Sequence, residues 1–86
     1  VVEFVPASVA KEVTQSVAVP TICIGAGPHC DGQILVLHDV VGLSERTPSF
    51  AKRYANVAEQ ILSAVRQYVQ EVRTKAFPAK EHYRDV

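Results

Sequence analysis

No stretch of this sequence approaches the roughly 20 consecutive apolar residues that a membrane-spanning helix needs, so none of it reads as a transmembrane segment. An excess of charge is missing too. Nine Lys and Arg balance nine Asp and Glu, which leaves no electropositive face for nucleic acid and no polybasic patch for an anionic membrane. Cysteine is limited to Cys23 and Cys30. Disulfide-held secreted mini-proteins usually carry more, so both are expected as reduced thiols, Cys23 as a small residue inside an apolar run, in a cytoplasmic chain. No basic segment followed by small residues marks a signal peptide. An initiating methionine is lacking, and the sequence opens inside the apolar run Val1-Val2-Glu3-Phe4-Val5. Natural domains rarely begin in mid-strand, so further residues are expected before Val1.

What is present organises itself around Val19–Asp39. The 86 residues are 48% hydrophobic, enough for a folded chain and a length for one small domain or part of a larger one. Two short apolar runs, Thr21–Ile24 and Ile34–Leu37, flank a Gly-, Pro- and Asp-rich link. Near-continuous Ile- and Val-rich runs are the habit of strands buried on both faces of a parallel sheet. In order, the chain reads as a strand at 1–5, a helix at 7–17, strands at 21–24 and 33–38, and a helix at 48–75. Pro6 suits a helix start, and Val9, Val13 and Val17 share one helical face. Thr47-Pro48 reads as N-cap and first helical residue. Phe50, Tyr54, Val57, Ile61, Val65, Tyr68 and Val72 then continue as one stripe over roughly 40 Å of helix. Pro78 stops it, and the tail from Ala79 reads as irregular.

Strands alternating with helices indicate an α/β fold with parallel pairing. One link resists this. Gly25–Gly32 is only eight residues, and a parallel crossover ordinarily takes a dozen or more. Three strands also leave open edges, as expected of part of a larger fold. A complete (β/α)8 barrel has about 250 residues, of which this chain would be the last third.

In such sheets functional groups gather beyond the carboxyl ends of the strands. Glu3 stands at one such end. There a carboxylate facing a site can act as a general base, whereas at a frayed end it simply meets water. Gly25 and Gly27, directly after the second strand, form either a tight turn or a close backbone approach to a ligand such as phosphate. The third glycine of the dinucleotide pattern is replaced by Cys30. His38 and Asp39 end the third strand and either face the rim or, for Asp39, cap the following turn. His29, Cys30 and Asp31 fit no common zinc spacing, and no metal site is assigned within the chain.

Four stretches together resemble the C-terminal part of the ketopantoate hydroxymethyltransferase family: VVEFVPASVAKEVT, VPTICIGAGPHCDGQILVLHDVVGL, FAKRYANV and FPAKEH. IGAGPHCDGQILVLHD is the most specific, and the Glu-x-Val-Pro of Glu3–Pro6 comes second. The resemblance implies that the strands are the last three of a (β/α)8 barrel with a long C-terminal helix. It implies transfer of a hydroxymethyl group from 5,10-methylenetetrahydrofolate to 3-methyl-2-oxobutanoate, giving 2-dehydropantoate in pantothenate synthesis, with Glu3 as the base. It also implies Mg²⁺ held by acidic residues in a part absent here, and a decamer of two pentamers with contacts through the C-terminal helix. Gly25, Gly27, His38 and Asp39 would shape the same rim, and the chain alone would be inactive. Two other readings stand beside this one: a non-catalytic small chain that oligomerises through its long helix, and another barrel enzyme binding phosphate at Gly25–Gly27.

Overall fold

The computed structural model describes residues 1–86 and divides into two compact units, Val1–Ala55 and Asn56–Val86. In the first unit β1 (Val2–Glu3), β2 (Ile22–Ile24) and β3 (Gly32–Gln33) form a three-stranded sheet in that order. Both pairings are parallel. Val2 lies opposite Cys23 and Glu3 opposite Ile24, while Ile22 lies opposite Gly32 and Cys23 opposite Gln33. Helix α1 (Ala7–Ser16) connects β1 to β2, with Pro6 at its N-cap, and buries Ala10. Ala10, Cys23 and Ala26 form the buried core, with Val2, Val5 and Cys30 packed against it. These are small side chains, so helix and sheet approach closely while little apolar area is withdrawn from water.

The short link between β2 and β3 is a genuine parallel connection without a helix. Its geometry is enforced by polar ties at its far end. The Thr21 amide and hydroxyl both donate to Asp31 Oδ2, at 2.8 and 3.2 Å, and the Asp31 amide donates back to Thr21 Oγ1 at 3.3 Å. The Gly32 amide then donates to the Thr21 carbonyl, opening the ladder. Thr14 Oγ1 lies 2.9 Å from Thr21 Oγ1, which joins α1 to the same corner. Cys23 and Cys30 are joined by a disulfide, with Cα atoms 5.8 Å apart. The expectation of two free thiols is thereby corrected: folding the link back on β2 brings the pair within bridging distance.

Two further expectations need correction. The strand expected at 33–38 ends at Gln33, and Leu37–Val41 is the helix α2. Ile34 still donates its amide to the Cys23 carbonyl, but the Val36 carbonyl already accepts the amides of Asp39 and Val40, three and four residues on, as in a helix. The apolar run straddles a strand-to-helix boundary, which periodicity alone does not resolve. Gly42 closes α2 in a left-handed conformation, its amide on the His38 carbonyl.

The long helix, α3, spans Val57–Thr74 rather than 48–75, about 27 Å. Pro48 and Ala51 form a turn, and the amides of Tyr54 and Ala55 donate to the Val40 carbonyl at 2.8 and 3.3 Å. Those donors are committed outside any helix, so the helix starts only after Asn56. In the second unit the chain leaves α3 through Lys75, which is left-handed, and a short 3-10 turn forms at Lys80–His82. The tail expected to be irregular is so from Tyr83 to Val86, but Lys80–His82 is ordered. The Phe77 ring sits 5.6 Å from Tyr68 and 5.0 Å from His82, and His82 Nδ1 accepts the Ala79 amide at 3.0 Å.

Candidate functional site

The sheet places the carboxyl ends of β1 and β2 side by side. Glu3 ends β1 opposite Ile24, the last residue of β2, and the Phe4 amide donates to the Ile24 carbonyl at 2.9 Å. Glu3 is exposed, so its carboxylate is available to a group arriving at this end of the sheet. Phe4 then turns sharply, with φ 49°, a value uncommon for a residue other than glycine. Its ring packs 5.4 Å from that of Phe50. Phe4 and Phe50 thus border the strand end that carries Glu3.

Gly25 directly follows Ile24 with φ 64°. A Cβ there would lie 2.7 Å from Phe50 Cγ, and one at Gly27 would lie 2.6 Å from the Ala7 Cβ. Both glycines are thus explained by close packing, Gly25 beneath the Phe50 ring and Gly27 against the start of α1. They also line an open cavity of about 520 Å³ together with Cys30, Asp31, Gln33 and Phe50. Gln33 Nε2 donates to the Gly27 carbonyl at 2.8 Å, holding the wall in place. The cavity is a volume typical of small-ligand sites, and its polar lining side chains are Asp31 and Gln33.

Glu3, His38 and Asp39 are not among the residues lining that cavity. His38 and Asp39 lie in α2 rather than at a strand end. His38 is exposed and contributes its carbonyl to the helix cap, whereas Asp39 is buried. No group of three or more His, Cys, Asp or Glu converges so as to hold a metal ion. The Mg²⁺ implied by the resemblance therefore finds no ligand set in this chain. Sequence reasoning missed Thr21 and Asp31 as partners and Phe50 as a site residue. Asp31 next to Gly32 at a strand entrance was the available signal for the first; nothing local foretold that Phe50 reaches Gly25.

Comparison with known proteins adds a second line of observation. Residues 1–80 match the family described as ketopantoate hydroxymethyltransferase. The chain is 99% identical over its whole length to a 3-methyl-2-oxobutanoate hydroxymethyltransferase of Pyrobaculum arsenaticum, covering 33% of that protein. It is 74% identical to the enzyme of the same name from Pyrobaculum aerophilum, over 99% of this chain and 32% of the relative. Against the one from Sulfolobus acidocaldarius it is 60% identical, again over 99% of this chain and 32% of the relative. The chain thus spans about a third of the length of the curated relatives it matches.

Proposed function

The chain belongs to the ketopantoate hydroxymethyltransferase family, and on that premise we propose that it supplies the base-bearing portion of an enzyme that transfers a hydroxymethyl group from 5,10-methylenetetrahydrofolate to 3-methyl-2-oxobutanoate, giving 2-dehydropantoate. The observation that carries the reading is the position of Glu3. It is an exposed carboxylate at the carboxyl end of β1, beside the end of β2 and the glycine link. Parallel α/β sheets assemble their active sites at that end. β1, β2 and β3 are read as the last three strands of a (β/α)8 barrel whose other strands lie in the remaining two thirds of the relatives' length.

In this reading Glu3 removes the proton from C3 of the substrate. The C–H electron pair moves into the adjacent carbonyl as an enolate, and the enolate carbon bonds to the folate's methylene carbon. The two C–N bonds of that methylene carbon break with their electron pairs left on nitrogen, and water supplies the hydroxyl oxygen as tetrahydrofolate leaves. A carboxylate at hydrogen-bonding distance from the scissile C–H suffices for the proton step. Gly25 and Gly27 would shape the rim without contributing a functional group. Mg²⁺, if it serves the family as the resemblance implies, takes its ligands from outside this chain, and no step here is routed through it. The enzyme works in the cytoplasm as a homo-oligomer, a decamer of two pentamers. α3 supports the oligomer: Ile61, Leu62, Val65, Tyr68, Val69 and Val72 are exposed along it.

The test is exchange of the substrate's C3 proton into solvent by the full-length enzyme containing this chain. Glu3→Gln is expected to slow exchange by roughly 10²–10⁴-fold, the usual contribution of a general base, while substrate binding persists. Wild-type exchange in that variant would remove Glu3 from the chemistry. The chain of residues 1–86 by itself is expected to show no exchange.

A further inference from the structure

The link between β2 and β3 is held in three ways: by Asp31 on Thr21, by Gln33 on the Gly27 carbonyl, and by the Cys23–Cys30 disulfide. Only the last can be opened by covalent exchange. Its two residues differ in exposure. Cys23 is 0% exposed, in the core with Ala10 and Ala26. Cys30 is half-buried and lines the open cavity of about 520 Å³. A thiolate breaks a disulfide only by reaching one of its sulfurs, and here the reachable one belongs to Cys30.

We infer that Cys30 is a thiol-modification site: a small-molecule thiol enters the cavity and takes Cys30 as a mixed disulfide, with Cys23 as the resolving thiol. The sulfur of the incoming thiolate bonds to Cys30 Sγ. The Cys23–Cys30 bond breaks, and its electron pair departs on Cys23 Sγ, which takes a proton from water. One disulfide replaces another, so no external oxidant or reductant is consumed. In the reverse step the Cys23 thiolate attacks Cys30 Sγ and expels the small thiol. Asp31 and Gln33 keep their partners throughout, so the link stays anchored while the cavity wall changes. The inference rests on access and covalent chemistry and is independent of the transferase reading.

Reduced glutathione is the probe. The full-length protein, purified without reductant, is incubated with it, quenched in acid, alkylated with N-ethylmaleimide after denaturation, and digested with trypsin. The peptide from Glu12 to Arg46 holds both cysteines and no internal cleavage site. Before exposure it is expected without maleimide and lighter than the dithiol form by two hydrogens. Afterwards it is expected with glutathione on Cys30 and maleimide on Cys23. Glutathione on Cys23, maleimide on both cysteines of the untreated protein, or a bond untouched in the folded protein under conditions that open it in the unfolded one would each overturn the proposal. A second comparison uses oxidised glutathione. Cys23→Ser, which leaves Cys30, should be modified about tenfold or more faster when folded than Cys30→Ser, which leaves the buried Cys23. Equal rates would equally defeat it.

Discussion

At the residue scale the link after β2 depends on side chains too small to have been chosen for chemistry alone. Gly27→Ala would place a Cβ 2.6 Å from that of Ala7, at a φ of 83°. The clash and the backbone strain together are expected to destabilise the full-length protein by about 1–3 kcal/mol, read as a lower urea midpoint. Asp31→Ala acts by a different route. It leaves the amide of buried Thr21 without its 2.8 Å acceptor, an expected loss of about 1–3 kcal/mol in the same measurement. Asp31→Asn keeps an oxygen facing Thr21 and should cost less. The place of Glu3 at the end of a strand was legible in the sequence because the apolar run Val1–Val5 stops at Pro6. The Thr21–Asp31 tie was not, because it joins residues ten apart across a link whose path only the fold defines. The same holds for Phe50, whose place over Gly25 is a tertiary fact.

At the element scale α3 shows how a correct pattern overruns its element. From Val57 to Val72 the spacing did mark a helix. Phe50 and Tyr54 fit the same period, yet Phe50 packs on Phe4 and the Tyr54 amide binds the Val40 carbonyl. Hydrophobic spacing records which residues are apolar, not where their backbone donors go. α2 was hidden for the related reason that Leu37 extends an apolar run already read as strand. The end of α3 offers a check. Phe77 lies between Tyr68 and His82, so Phe77→Ala should release the 3-10 turn at Lys80–His82. Hydrogen exchange at the His82 amide, which donates to the Ala79 carbonyl at 2.8 Å, should then approach that of an unstructured chain, with α1 unchanged.

At the scale of the molecule the buried core, Ala10, Cys23 and Ala26, is too small to offset the conformational entropy of ordering the chain. Calorimetry on residues 1–86 alone is expected to give no cooperative transition, and full-length protein a single strong one. The α/β class and the parallel pairing of β1 with β2 were legible because a helix pattern lies between two strand patterns, whereas the parallel sense of β2 and β3, which no helix separates, was not. Strand lengths were not: two- and three-residue ladders are fixed by register, which no local pattern carries. Reducing the Cys23–Cys30 bridge before unfolding should lower full-length stability by roughly 2–3 kcal/mol, the loop-closure contribution of a cross-link this short.

The helix-free link has a consequence for the order in which the sheet assembles. Ile22 and Gly32 are paired ten residues apart, whereas Val2 and Cys23 are paired across twenty-one. Doubling a loop adds about 0.6 kcal/mol to the entropy of closing it, and contacts near in sequence tend to form sooner. β2 and β3 therefore behave kinetically like a hairpin while remaining parallel, a nucleus onto which β1 docks with α1 already in tow. In a pulse-labelling refolding experiment the amides of Gly32 and Ile34 should gain protection before that of Phe4, the donor that ties β1 to β2.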